Sequence, residues 1–286
     1  MALIVTKNVG DTMYYRPNLN YKYPDKCDEH MIVVKHLRDT NFDTKYPYLN
    51  KALWFKLVRG VYWLLINVIM FPVLRILYGL RIHGRKNIRK NKALLSNGVI
   101  TISNHVFFID YLCVLKAIRP HLPFFPAWQT NFEGPNQKFI RMSGGIPIPT
   151  HSAHAMLKFN EAIEEVLEKK RWLHFFPEGS MWLYYPDIRP IKRAVFDYAV
   201  KYNRPVLPLS FSFRPRHGLT KLFTKKPWVD LHIGEPMLPN TELPKRVAAM
   251  EMQKEAYHIM QVMSGINPGD PTYNEDLNLE HYQKTV

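Results

Sequence analysis

The sequence predicts an α/β fold: a mostly parallel or mixed sheet flanked by helices, preceded by an apolar helical segment that docks on a membrane. Three observations carry this. Beyond residue 80, short apolar runs of strand length alternate with runs of helical period, the pattern of strands joined by helical crossovers. Between two of those strands, Ala155, Met156, Phe159, Ala162, Ile163, Val166 and Leu167 form one apolar stripe, opposite Glu161, Glu164, Glu165, Glu168 and Lys169. Before the alternation starts, Ala52 to Leu80 is the most apolar part of the chain.

Residues 1–45 are polar, with scattered Tyr, Pro, Asp and Lys, and read as an irregular arm. Their start lacks the basic-then-apolar layout of a cleaved signal peptide. Residues 46–80 form the membrane-associating segment. Its uncharged core, Gly60 to Leu74, falls short of the roughly 18 apolar residues that a spanning helix needs. Lys56, Arg59 and Arg75 flank this core and can snorkel, so the segment either spans at a tilt or docks at the interface. Trp54, Tyr62, Trp63 and Tyr78 are rings of the interfacial type. Pro72 predicts a kink or a break between two helices.

Residues 81–264 form the α/β domain. Arg81–Gly84 and Val99–Ser103 read as strands, and roughly Phe107 to Ile118 as a helix that ends at Pro120. Phe124–Trp128 is a short strand, Asn136–Met142 a helix, and Gly145–Pro149 an extended segment kept at an edge by Pro147 and Pro149. Ser152 caps the amphipathic helix. Trp172–Phe176 is a strand, Lys192–Tyr202 a helix, Pro205–Phe213 a strand with alternating side chains, Trp228–Ile233 a strand, and Val247–Met263 a late helix. Residues 265–286 are a polar tail.

The chain carries 39 basic against 24 acidic residues, a formal charge of +15. Such an excess attracts nucleic acid, anionic head groups or phosphorylated substrates. The basic residues are dispersed and no recognition helix or aromatic RNA motif appears, so nucleic acid is set aside in favour of a membrane surface. Cys27 and Cys113 make no disulfide framework, which points to a reducing compartment. Together these readings place the protein on a membrane at its cytoplasmic face, with phospholipids as partners.

Chemistry gathers first at Ser103-Asn104-His105-Val106-Phe107-Phe108-Ile109-Asp110. Here a strand ends and a helix begins, with Asn104 predicted as N-cap. His105 and Asp110 are five apart, roughly 140° around one straight helix, and would not meet on it. They meet if His105 lies in the turn and Asp110 in the first helical turns, where the carboxylate fixes the imidazole tautomer. A second stretch, Trp172 to Ser180, is an apolar strand ending in Pro177-Glu178-Gly179, a carboxylate at a strand end beside a glycine that permits close backbone approach. His151 and His154 lack the i, i+4 spacing of a helical zinc pair and have no marked third ligand, so no metal is expected. No Gly-x-Ser-x-Gly and no phosphate-cradling Gly-rich loop is present.

Four blocks in order resemble the 1-acylglycerol-3-phosphate O-acyltransferase family, the lysophospholipid acyltransferases: Asn104 to Asp110, Gly144 to Ile148 (with Gly145), Phe176 to Gly179, and Pro205 to Leu209. The resemblance spans roughly Arg81 to Pro236. It implies that His105 is the general base toward a lipid hydroxyl and Asp110 its orienter. It further implies that Asn104, Gly145, Glu178 and Gly179 belong to the substrate site. The donor would be acyl-CoA or acyl carrier protein as co-substrate, with no cofactor. The implied acceptor is 1-acyl-glycerol-3-phosphate, giving phosphatidic acid in phospholipid biosynthesis. An acceptor with another head group, such as another lysolipid or a glycolipid, is the alternative, as is an inactive lipid-binding protein of the same fold.

The chain departs from that pattern at two places. Where the family carries phosphate-gripping arginines, this sequence has Thr150 and Met181. Lys192 and Arg193 match a later basic pair and can take over, with Lys138 and Arg141 as further cations. Trp182, Tyr184 and Tyr185 either face a bulkier head group or pack in the core.

Overall fold

The computed structural model describes residues 8–9, 12–13, 15–222 and 224–266. Two two-residue strands, β1 (Asn8–Val9) and β2 (Thr12–Met13), come first, and residues 15–52 contain no helix or strand. Then come α1 (Leu53–Leu65), a π-helical turn Ile66–Met70, and α2 (Phe71–Leu77). The domain continues through β3 (Arg81–His83), α3 (Arg85–Lys90), α4 (Lys92–Leu95), β4 (Val99–Ile102), α5 (Asp110–Ala117), β5 (Phe125–Trp128) and α6 (Gln137–Ser143). It ends with β6 (Gly145–Ile148), α7 (Ala153–Glu168), β7 (Trp172–Phe175), α8 (Ala194–Tyr202), β8 (Val206–Arg214), β9 (Trp228–Ile233) and α9 (Lys245–Met263). The expected polar tail lies, from residue 267, outside the described residues.

The main sheet has the order β3-β9-β8-β4-β7. β4 runs parallel to both β7 and β8, and β3 parallel to β9, while β8 and β9 are antiparallel. The sheet is therefore mixed and mostly parallel. Helices cover both faces. α2 and α5 pack on one, through Phe71, Leu74, Leu112 and Leu115 against Leu207, Leu209 and Phe211. α7, α8 and α9 pack on the other, through Ile163, Val166, Phe196, Ala256 and Met260 against Ile100, Ile102 and Val206. The amphipathic stripe read in the sequence is the buried face of α7, and Ser152 caps that helix by accepting the Ala155 N–H at 3.3 Å.

Three local expectations are corrected, and two short helices are added. Of the kink or break expected at Pro72, the break does not occur: Leu53–Leu77 is one continuous 25-residue helix, long and apolar enough to cross a membrane. Proline lacks an N–H and its ring clashes with the carbonyl four residues back. The π-helical turn directly before Pro72 absorbs that mismatch without breaking the helix. β8 does not alternate: its first eight residues are all buried, because it is central and covered on both faces. The helix carrying Asp110 starts at Asp110 itself, with Ile109 and not Asn104 at its N-cap. The short helices α3 and α4, in a stretch of Lys, Arg and Asn with no apolar stripe, were not predicted.

Residues 15–52 lie against the domain. Arg16 forms an ion pair with Asp187 at 2.7 Å, Tyr23 stacks on Trp182, and the Met31 sulfur accepts the Leu183 N–H. The segment has no regular structure, so its sequence shows no period; its aromatic and backbone groups are ordered by what they pack on.

Candidate active site

The site is built where β4 ends. Ser103 donates its N–H to the Phe175 carbonyl, which holds the end of β4 beside β7. Asn104 is wholly buried and its side chain clasps β8: Oδ1 accepts the Phe211 N–H at 2.7 Å and Nδ2 donates to the Phe211 carbonyl at 3.2 Å. It thus anchors the loop to the sheet.

Next in the chain, His105 turns its imidazole toward Asp110. Nδ1 lies 2.6 Å from Asp110 Oδ2, and the same oxygen accepts the Val106 N–H at 3.0 Å. Asp110 is the first residue of α5, so the carboxylate also faces the positive end of that helix. A carboxylate accepting at Nδ1 places the proton there and leaves the Nε2 lone pair for proton abstraction. The ring is stacked on Phe176 at 4.0 Å, and the His105 side chain keeps 26% of its surface exposed against 1% for Asp110. The imidazole is thus partly open to a ligand, while the carboxylate that holds it is enclosed.

Glu178 is buried and lies behind this pair. Its Oε2 accepts the His105 backbone N–H at 3.0 Å, and the Arg189 guanidinium donates to the same oxygen at 2.8 Å. Oε1 accepts the Arg189 N–H at 2.9 Å. Arg189 in turn donates to Ser180 Oγ at 2.6 Å, to the Ser180 carbonyl, and to the Cys27 carbonyl at 2.8 Å. It also lies over the Trp182 ring. Arg189 was not singled out in the sequence; its only signal there is a lone arginine before Pro190. The loop after Glu178 is bonded to the histidine loop at two more points, Trp182 N–H to the His105 carbonyl and Tyr184 N–H to the Val106 carbonyl.

Gly179 adopts φ +81°, which favours glycine. A Cβ there would also lie 2.9 Å from Lys192 Cε, so Lys192 crosses directly over this residue. Arg193 instead faces Asp197 one helical turn on, at 3.2 Å. Gly145 sits in β6, paired with Phe125 of β5 in a separate two-stranded sheet and packed on Ile140 and Phe132, without a contact to His105 among those described. Arg141 binds the Tyr48 carbonyl at 3.0 Å and covers Tyr46, which spends its guanidinium on the arm. Lys138 is exposed, and Thr150 donates its N–H to the Gln129 side chain. Trp182 and Tyr184 are buried against Tyr23 and Tyr21, which is the packing reading for these two rings, while Tyr185 is half-buried.

The arm adds a residue that the sequence did not mark. Trp182 Nε1 donates to the Glu29 carbonyl at 2.9 Å, and the neighbouring His30 stacks on Trp128 at 4.1 Å. Burial pulls the His30 pKa below the usual histidine value, and the charges of Lys192, His105 and Arg189 pull it further. These groups therefore share one electrostatic neighbourhood. His174 lies beneath, fully buried, with Nδ1 2.9 Å from Thr101 Oγ1; burial pushes its pKa down to about 3. It stays neutral and holds β7 to β4. Among the described residues no group of three or more His, Cys, Asp or Glu side chains is placed to hold a metal ion.

Residues 79–212 match the family model described as Acyltransferase, a span that contains His105, Asp110, Glu178 and Arg189. The chain carries an acyltransferase domain. Its helix Leu53–Leu77 and the arm before it precede the matched residues. Among solved structures, the 1-acyl-sn-glycerophosphate (LPA) acyltransferase PlsC from Thermotoga maritima is similar to the acyltransferase described here over 74% of this chain and 84% of that chain. The sequence identity is 22% and the TM-score 0.47. No curated protein matches the chain.

Proposed function

We propose that this acyltransferase esterifies a free hydroxyl of a lysophospholipid, with His105 as general base and Asp110 as its orienter. The observation that carries the reading is the 2.6 Å contact between His105 Nδ1 and Asp110 Oδ2, with the imidazole partly exposed and the carboxylate buried. In the reaction Nε2 takes the hydroxyl proton as the alcohol oxygen attacks the thioester carbonyl of acyl-CoA or an acyl carrier protein. The tetrahedral intermediate collapses, the carbon–sulfur bond breaks, and the imidazolium returns its proton to the leaving thiolate. An alcohol is a weak nucleophile at neutral pH, and a positioned imidazole contributes about 10²–10⁴-fold.

The first acceptor is 1-acyl-glycerol-3-phosphate, with phosphatidic acid as product. Thr150 and Met181 do not supply guanidinium groups, and Arg189 has its donors committed to Glu178, Ser180 and Cys27. A phosphate would therefore rest on Lys192, which lies over Gly179. This thin cationic set favours a second reading, an acceptor with a different head group on the same chemistry.

The helix Leu53–Leu77 has only 17% of its most apolar window buried, which supports membrane association at the site of lipid supply. The deciding experiment incubates the purified protein with a labelled acyl thioester and a panel of lysolipids, and identifies products by mass. An acylated lysophosphatidic acid, lost in a folded His105→Ala variant, supports the first reading. Acylation of a different lysolipid selects the second. No product with any donor, or full activity in His105→Ala, overturns the mechanism.

A further inference from the structure

A groove of about 650 Å³ lies along the edge strand β3, where α2 ends, and is lined by Arg75, Arg81, Arg85, Lys116, Arg214 and Trp228 among others. Five cationic side chains from four parts of the sequence converge here, and the lining contains no carboxylate. Two residues of the lining meet one acid behind it, Asp230, which is shared between His83 at 3.2 Å and Arg214 at 3.5 Å. The cations lie in one another's fields. Burial lowers the Lys116 pKa, and Arg75, Arg85 and Arg119 lower it further against an opposing effect of Cys113; burial also lowers that of Arg214, where Asp230 opposes it and Arg81 and Arg216 add to it.

Their donors are only partly used inside the protein. Lys116 Nζ donates to the Phe71 carbonyl at 2.6 Å, Arg85 to the Lys116 carbonyl at 2.5 Å, and Arg214 Nη2 to the Gly79 carbonyl. Arg214 Nη1 and Trp228 Nε1 are buried and have no hydrogen-bond partner among the described residues. Arg75, Arg81 and Arg85 are exposed. Like charges held together in this way destabilise a fold unless an anion offsets them.

We propose that this groove is a binding site for the phosphate group of an anionic phospholipid in the membrane to which the α1–α2 helix attaches. The position selects the lipid. Arg75 lies in the last turn of that helix, beside the exposed apolar Ile76 and Leu77, so the cations stand where an apolar helix gives way to polar surface and bilayer phosphates collect. The groove is a poor fit to the nucleotide part of an acyl-CoA, because the indole ring in its lining, Trp228, is already packed against Gly79 and the Arg214 guanidinium. The assignment rests on reading α1–α2 as membrane-associated and is independent of the chemistry at His105.

The test titrates the full chain, in neutral detergent, with dihexanoylphosphatidylglycerol by calorimetry. The double variant Arg81→Glu/Arg85→Glu is expected to lose about tenfold or more in affinity, while Lys254→Glu, an exposed position on α9, binds as the parent does. Dihexanoylphosphatidylcholine is expected to bind weakly to all three. An unchanged unfolding midpoint shows that the double variant is folded; if it is not, Arg81→Gln replaces it, with a smaller loss in the same direction. Equal losses in Lys254→Glu would reduce the effect to net charge and overturn the site. Inorganic phosphate binding as tightly as the lipid would make it a free-anion site, and coenzyme A displacing the lipid would make it a donor site; either overturns the lipid assignment. Acyl transfer to a micellar acceptor, measured on the same proteins, reports separately on His105.

Discussion

Glu178 Oε2 accepts the backbone N–H of His105 at 3.0 Å, and this bond joins the two motif-bearing loops through a carboxylate that is itself held by Arg189. The position of the imidazole therefore depends on an ion pair in which both side chains are 1% exposed. A carboxylate so placed fixes the histidine loop.

Removing one partner of that pair leaves the other charge buried and alone. Arg189→Ala is expected to destabilise the protein by about 3–5 kcal/mol, measured by denaturant unfolding in detergent. Arg189→Lys keeps the charge but cannot bridge Glu178, Ser180 and Cys27 at once, so it should recover only part of the loss. A variant as stable as the parent would show that the pair is dispensable.

Asp110→Asn keeps the size of the side chain and an acceptor for the Val106 N–H, but no longer stabilises an imidazolium. Under the proposed mechanism kcat should fall by roughly 10³–10⁴-fold with KM little changed. Steady-state kinetics with a fixed acyl thioester decide this. A loss confined to KM would reassign Asp110 to binding.

His174 links stability to pH. Its folded pKa, about 3, lies below the ordinary 6.5, so between these values the unfolded chain binds the extra proton. Stability is then complete above pH 6.5 and falls on acidification, by up to about 1.4 kcal/mol per pH unit for one proton. Burial pushes His232 down to about 4, and it contributes with the same sign over its shorter window. Unfolding followed from pH 7 to pH 4 should show this slope, and His174→Gln should flatten it by about one proton.

The Trp182 indole ties the arm to the loop that supports His105. Trp182→Phe keeps the ring packing but removes the bond to the Glu29 carbonyl, a loss of about 1 kcal/mol. Limited proteolysis should then cut near residues 24–33 faster than in the parent. Equal cleavage rates would show that the indole bond does not hold the arm in place.

What the amino-acid sequence determined by itself is local. The strand before His105, a helix after it that carries Asp110, the stripe of α7 and the apolar run of α1 and α2 each follow from periodicity or spacing within a few turns of chain, and so does the turn that lets His105 and Asp110 meet. Tertiary structure decided the rest. Asn104, predicted as a cap, reaches a strand that comes more than a hundred residues later. Arg189 finds Glu178 across a loop, and the arm finds Trp182 from the far end of the chain. The cationic groove collects residues 75, 81, 85, 116 and 214. The physical reason is the same in each case: a buried polar group must be satisfied by whatever the fold brings beside it, and that partner leaves no period in the sequence.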